Sequence, residues 1–329
     1  MKAIIPVAGI GTRLRPHTHT APKVLLPVAG QPILGHILQE LERVGVTEIT
    51  FIIGYRGDQV REYVNGSFRF KANYVVQPEM LGLGHAISLA KPYHDADEPV
   101  LIILGDTIFK ADLPGLLASR DSLLAVKEVE DPRRFGVVEV AGDGTIRRLV
   151  EKPSHPPSNL VIVGIYFLRD ARLLFRCLDR LIAGNIRTKN EYQLTDALQM
   201  MLEAGHVMRP FPIEGWHDCG KRETLLETNR ALLDLGVATN QPARLHHSVI
   251  IPPVAIGENV TIERSIIGPH VSVSSGSVVR NSVIVDSIIA ASASVENAVL
   301  RSSVIFDNAR VLGRQAVLNV GDASEIDMS

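Results

Sequence analysis

PVAGIGTRLRPHTHTAPK, residues 6–23, decides how the chain begins. It continues the short apolar run KAII, so a strand over Lys2–Ala8 meets two glycines, Gly9 and Gly11. Arg13, Arg15 and Lys23 then follow with no acidic residue among them. So charged a stretch repels itself unless an anion sits within it. Glycines let a backbone approach such an anion and turn successive N–H groups toward it. Arg13 offers a bidentate fork for phosphate oxygens, and Lys23 a compact positive charge. The loop is not a Walker A sequence, because GxxxxGK[ST] does not occur. Nor is it a dinucleotide fingerprint, because Leu14 stands where the third glycine belongs. The competing reading is a tight strand-to-helix turn whose basic residues are solvated.

Outward from this loop, strand and helix patterns alternate. A helix is expected over Ile33–Val44, a strand over Glu48–Gly54, a short helix near Asp58–Val64 and a strand over Asn73–Gln77. A helix over Leu83–Ala90 and the apolar strand PVLIILGD, ending at Asp106, come next. This order implies a Rossmann-like mixed, mostly parallel sheet with helices on both faces, its ligands beyond the carboxyl ends of the strands. After Ser122 come strands joined by a GDG hairpin turn, a strand over Asn159–Leu168, and helices over Ala171–Ala183 and Glu191–Ala204. A strand in VMRPFPIEG and a helix over Glu223–Leu235 close the segment.

From His246 the pattern changes. Apolar doublets (VII, AIG, TIE, SII, VSV, SVV and on to AVL) recur every five or six residues, with Ser, Asn, Gly and Ala between them. A period near six is the signature of a β-solenoid, here of roughly four coils. A β-sandwich would show longer alternating strands. Three segments result: an α/β domain over 1–236, a turn-rich linker over 237–245 and a hexapeptide-repeat solenoid over 246–329.

Composition narrows the classes. The 329 residues suffice for about two domains, and 46% hydrophobic content supports a sizeable core. A net charge of −2 argues against a nucleic-acid binder or a polybasic membrane anchor. Two distant cysteines, Cys177 and Cys219, form no CxxC, so neither a disulfide framework nor a zinc site is expected. With no signal-like or membrane-length apolar run, a soluble cytoplasmic protein is expected.

GxGTRLRPxTxxxPKxLLPVxGxP resembles the signature of the sugar-1-phosphate nucleotidyltransferases, and residues 1–235 look most like long-form glucose-1-phosphate thymidylyltransferases. UTP–glucose-1-phosphate uridylyltransferases are close behind. The resemblance implies condensation of a nucleoside triphosphate with a sugar 1-phosphate, giving a nucleotide-sugar and pyrophosphate with Mg²⁺. It also implies that the solenoid is a left-handed β-helix. Ala8, Gly9, Gly11, Thr12 and Arg13 match the triphosphate loop, with Arg13, Lys23 and Lys152 as catalytic cations. Asp106 and Asp218 match two metal-binding aspartates; as a rival, Asp218 would N-cap the following helix. Gly136, Glu151, Lys152 and Glu191 match the sugar-phosphate contacts, although Glu191 also suits a helix's first turn. Gln77 and Gly82 match the base contacts, the Gln amide pairing through both donor and acceptor.

The expected reaction needs no general base, since the attacking phosphate oxygen is already ionised. Its obstacle is charge: two unit charges 4 Å apart repel by about 4 kcal/mol at an effective dielectric of 20. Catalysis should therefore consist of positioning, cations and metal. Three alternatives are a mannose-1-phosphate guanylyltransferase, a non-catalytic regulatory homologue, and an acyltransferase activity of the solenoid. The regulatory homologue should lack Arg13, Lys23, Asp106 or Lys152, and all are present. The acyltransferase needs a histidine base, and the repeat carries only His246, His247 and His270. Apolar coil sides favour a homo-oligomer, with assembly or regulation as the solenoid's role.

Overall fold

The computed structural model describes residues 1–94, 98–237 and 243–313. It comprises two compact units: residues 1–26 with 31–228, and residues 27–30 with those from Asn229 onward.

In the first unit, β1 (Lys2–Pro6) leads to α1 (Ile33–Arg43), β2 (Glu48–Ile53), α2 (Gly57–Ser67), β3 (Lys71–Val76), α3 (Leu83–Ser88) and β4 (Val100–Ile103). Then follow β5 (Thr107–Lys110), α4 (Leu113–Ala118), β6 (Ser122–Glu128), β7 (Gly136–Val140), β8 (Ile146–Glu151) and β9 (Leu160–Leu168). α5 (Ala171–Ala183), α6 (Leu194–Glu203), β10 (Met208–Pro212), β11 (Gly215–Asp218) and α7 (Arg222–Asp234) complete the series. The main sheet is mixed, in the order β8-β7-β9-β4-β1-β2-β3, with β6 paired to both β9 and β10. It is parallel from β4 to β3, and β9 runs antiparallel to β4, β6 and β7.

β1 is apolar along its length because helices cover both sheet faces. Ile4 packs with Ile52 and Ile102 against Leu174 and Leu178 of α5 and Leu198 of α6. Ala3 and Ile5 point the other way, toward Leu34, Ile37 and Leu41 of α1. This is the two-residue alternation of a strand meeting two helical faces.

Sequence periodicity located these elements, and the differences are local. The helix expected over Glu191–Ala204 begins only at Leu194. Before it, Thr188 and Glu191 exchange backbone bonds of 3.0 and 3.2 Å around Lys189 and Asn190, whose φ values are +55° and +66°. Two successive positive φ angles make the tight turn of a two-residue hairpin. Glu191 therefore ends a hairpin and does not sit in a helical first turn. Asp218, weighed as an N-cap, is the last residue of β11, with α7 beginning four residues later at Arg222. The pairing of β11 with β5, which sets Asp218 opposite Thr107, went unrecognised in the sequence.

In the second unit, parallel strands stack into three sheets. Arg244 lies opposite Thr261, Thr261 opposite Val278, Val278 opposite Ser294 and Ser294 opposite Arg310, so coils advance by 17, 17, 16 and 16 residues. Ile262, Val279 and Val295 form one inward column, and Ile267 and Ile284 another. At one corner His247, Arg264, Asn281 and Asn297 share positive φ angles of 45–55°; Asn259, Gly276, Ser292 and Asn308 have φ of 55–72° at another. That backbone requirement explains the Asn, Ser and Gly between the apolar doublets. Buried serines satisfy the corners: Ser265 Oγ accepts from Ser282 N, and Ser282 Oγ accepts from Ala298 N, both at 3.1 Å. Part of the expected linker (238–242) and the last expected repeats (314–329) lie outside the described residues.

Candidate active site

Strand ends of the first unit converge on a cleft of about 400 Å³. Gly9 follows β1, Gln77 follows β3 and Asp106 follows β4; all three line it. Gly136 opens β7 and Glu151 closes β8, and these with Lys152 also line the cleft. Lys23, Gly82 and Glu191 complete the expected residues found there.

Lys23 is only 7% exposed, and its Nζ lies 2.5 Å from Asp106 Oδ2 and 4.0 Å from Asp218 Oδ1. Two carboxylates distant in sequence, one before β5 and one at the end of β11, thus converge on one ammonium, brought together by the β5–β11 pairing. Burial raises the Asp218 pKa and the Asp106 charge reinforces it, while Lys23 and Arg13 oppose the rise. Gly11 (φ +68°) makes room for the lysine: a Cβ there would lie 2.9 Å from Lys23 Cβ. Thr18 Oγ1 fastens the loop, donating to Gly11 O at 2.9 Å.

Two aspartates brought to one place supply the one or two carboxylates that Mg²⁺ takes, its shell being completed by phosphate oxygens and water. Asp106 and Asp218 therefore fit such an ion. Among the described residues no group of three or more His, Cys, Asp or Glu could hold a metal.

Elsewhere in the cleft lining, Glu151 Oε2 accepts from Thr195 Oγ1 at 2.7 Å, and Oε1 lies 3.3 Å from Lys152 Nζ. A Cβ on Gly136 would come within 2.9 Å of Thr195 Oγ1 and 3.2 Å of Glu151 Oε2. The missing side chain keeps that bond intact. Lys152 has φ +42°, a conformation costly for a residue with a side chain, and its N–H donates to Phe135 O at 3.0 Å. Glu191 Oε2 accepts from Gln193 Nε2 at 2.8 Å.

Gln77 is buried, and its Nε2 donates to Gly82 O at 3.3 Å and lies 3.2 Å from His85 Nδ1. Gly82 has φ +109°, and a Cβ there would meet Tyr192 O at 2.6 Å and Glu191 Cβ at 2.8 Å. The segment is pinned there, since Tyr192 N donates to Leu81 O and Gly84 N to Tyr192 O.

Not every expected residue reaches the cleft. Ala8, Gly11 and Thr12 do not line it, and Arg13 and Asp218 border a second chamber of about 390 Å³. Arg134 and Phe135 line both. Thr195, Tyr166, Arg134 and Phe135 were missed. Thr195 carried one usable signal, standing four residues after Glu191 in EYQLT. Burial drives the Tyr166 phenol well above its ordinary pKa, with Glu151 and Asp106 adding to the effect. Cys219 is fully buried, its thiol pushed up to about 12, so it is no nucleophile.

A family model described as nucleotidyl transferase matches residues 2–234, and one described as GlmU-like, C-terminal hexapeptide, matches 226–281. The low-salt glycan biosynthesis nucleotidyltransferase Agl11 of Haloferax volcanii is 36% identical over 243 residues, 71% of this chain and 66% of that protein. A glucose-1-phosphate thymidylyltransferase of Streptomyces griseus is 34% identical over 242 residues, with the same shares covered. The match thus spans just under two thirds of those relatives' length. A solved UDP-glucose pyrophosphorylase complexed with UDP-glucose superposes with a TM-score of 0.62 at 28% identity, over 71% of this chain and 98% of that one.

Proposed function

The chain belongs to the nucleotidyl transferase family, and from that membership we propose that it condenses a nucleoside triphosphate, dTTP or UTP, with a hexose 1-phosphate. Glucose 1-phosphate is the favoured sugar, and the products are a nucleoside diphosphate-sugar and pyrophosphate. The observation that carries this reading is one cleft lined both by Lys23, bonded to Asp106, and by Lys152 beside Glu151.

The sugar-phosphate oxygen attacks the α-phosphorus while the bond to the β-phosphate oxygen breaks. Lys152 neutralises the incoming monoester and presents it in line, where positioning supplies much of the acceleration. Gly136, Glu151 and Glu191 hold the hexose, the carboxylates accepting from its hydroxyls. The backbone of Ala8, Gly9, Gly11 and Thr12, with the Arg13 guanidinium, receives the triphosphate. Lys23 offsets charge that grows on it in the transition state. Gln77 and Gly82 address the base. Asp106 and Asp218 would hold Mg²⁺, which supplies Lewis-acid stabilisation of phosphate charge when bound.

Residues 1–236 form the transferase domain in this reading and 237–243 a linker, the expected boundary at 246 moving to the first solenoid strand at Arg244, and the solenoid serves assembly or regulation. The described residues contain no helix long and apolar enough to cross a membrane. Val249, Ile266 and Val299, in register on one solenoid sheet and exposed, suit a homo-oligomer. Pyrophosphate release measured over a grid of nucleoside triphosphates and sugar 1-phosphates tests the assignment. Turnover is expected first with dTTP or UTP and glucose 1-phosphate. Preference for GTP with mannose 1-phosphate would reassign the substrates, and no turnover anywhere would favour a regulatory protein.

A further inference from the structure

Gln77 enters the cleft lining from the end of β3, and its amide already has partners within the protein. We propose that His85 is a positioning residue for base selection: by accepting from Gln77 it leaves only Oε1 to meet the base, so the cleft takes keto bases such as uracil and thymine and rejects cytosine and adenine. The inference rests on the transfer activity proposed above.

The orientation of the amide follows from its partners. Gln77 Nε2 donates to Gly82 O at 3.3 Å and lies 3.2 Å from His85 Nδ1. A backbone carbonyl can only accept, so the nitrogen side of the amide must face it. Burial lowers the His85 pKa below its ordinary value, with Glu79 opposing, and the ring is therefore neutral at pH 7. A neutral imidazole carries one donor and one acceptor nitrogen. Nδ1 accepts here, and the ring proton sits on Nε2. Both amide N–H groups are then engaged, while Oε1 accepts from no described residue. The sequence suggested an amide pairing through donor and acceptor alike; the structure leaves the acceptor alone.

Each partner is itself held. Gln77 is only 5% exposed, and its N–H donates to Ile53 O at 2.8 Å, carrying the β2–β3 pairing one residue past the strand. Gly82 O also accepts from Ala86 N at 3.1 Å in the first turn of α3. Gly84 N, one residue before His85, donates to Tyr192 O at 2.7 Å. His85 is not among the residues that line the cleft, so it acts through Gln77.

Base chemistry supplies the consequence. Uracil and thymine offer N3–H to an acceptor, and guanine offers N1–H. Cytosine N3 and adenine N1 offer only lone pairs. A lone pair set against Oε1 forfeits the bond and leaves a buried acceptor unpaired. A site built to bond an N–H strongly rejects an analogue that lacks it. The filter separates keto from amino bases, and guanine passes it.

The test measures pyrophosphate release with glucose 1-phosphate and either UTP or CTP in wild type, His85→Phe and His85→Asn. Wild type should prefer UTP by about a hundredfold or more in kcat/KM. His85→Phe, which removes the acceptor, should cut that preference about tenfold through the triphosphate KM and keep the glucose 1-phosphate KM within about twofold. His85→Asn, whose Oδ1 can accept from the same amide, should restore it. Comparable use of CTP by wild type, an unchanged preference in His85→Phe, or an equal rise in both KM values would overturn the proposal. Should the phenyl ring prevent folding, His85→Leu removes the same acceptor. If wild type turns over no substrate pair, the transfer reading fails, and calorimetric titration with UDP and CDP still decides the filter. Tighter binding of UDP, with the difference reduced in His85→Phe, supports it; equal binding, no binding or an undiminished difference refutes it.

Discussion

Lys23 owes its place between two aspartates to what Gly11 lacks. Gly11→Ala would bring a methyl within 2.9 Å of Lys23 Cβ at a φ of +68°, and should displace the ammonium. Turnover should fall by about 10² or more, the scale seen when one electrostatic stabiliser is removed, and the strained backbone should lower the unfolding temperature as well. Unaltered kinetics would show that the lysine can shift without consequence. Asp106→Asn and Lys152→Ala should each lower turnover on the same scale while circular dichroism stays unchanged; near-normal activity in either contradicts its role. Thr195 acts through Glu151, donating to it at 2.7 Å. Thr195→Val should raise the KM for the sugar phosphate several-fold and spare that for the triphosphate, with Thr195→Ser restoring it. Equal effects on both substrates would mark Thr195 as merely structural. That Gly9, Lys152 and Asp106 would come together in one cleft was legible because their motifs are local: glycines at turns, EKP after a hairpin, an aspartate ending an apolar run. Thr195 and Tyr166 were not, since their relevance lies in neighbours distant in sequence.

At the level of elements, periodicity gave away what is repetitive and concealed what is paired at long range. Six-residue spacing with Ser and Asn at the turns read directly as a solenoid, because each corner imposes the same backbone demand on every coil. The β5–β11 pairing, in which Thr107 lies opposite Asp218, had no such repeat to betray it. Yet that pairing makes two carboxylates from distant parts of the chain face one lysine. The hairpin before α6 hid for another reason: Lys189 takes a positive φ that lysine rarely adopts. Within the solenoid, Ser282 Oγ accepts from Ala298 N and donates to Arg280 O. Ser282→Ala would leave a buried N–H unpaired, a loss of about 1–3 kcal/mol. Denaturant unfolding should detect the loss, and an unchanged midpoint would mean that the corner readily finds another partner.

Over the whole molecule, stability should depend on acid more than the carboxylates alone require. Burial is the leading cause of lowered pKa values for His17, His85, His94, His206 and His217, and His94 is brought down to about 4. The unfolded chain takes up these protons near pH 6.5, whereas the folded chain resists them. Their contribution is therefore intact above pH 6.5 and lost progressively as the pH falls toward 4. The unfolding temperature should drop across that window, and His94→Gln should flatten the drop; parallel curves for the two proteins would contradict this. The central claim is that one cleft, lined by Lys23, Asp106 and Lys152, brings two anions together. The most direct measurement is a crystal structure with a non-hydrolysable triphosphate and glucose 1-phosphate bound together. The account expects the monoester on Lys152 and the α-phosphate beside Asp106 and Asp218; either ligand lodged outside the cleft would contradict it.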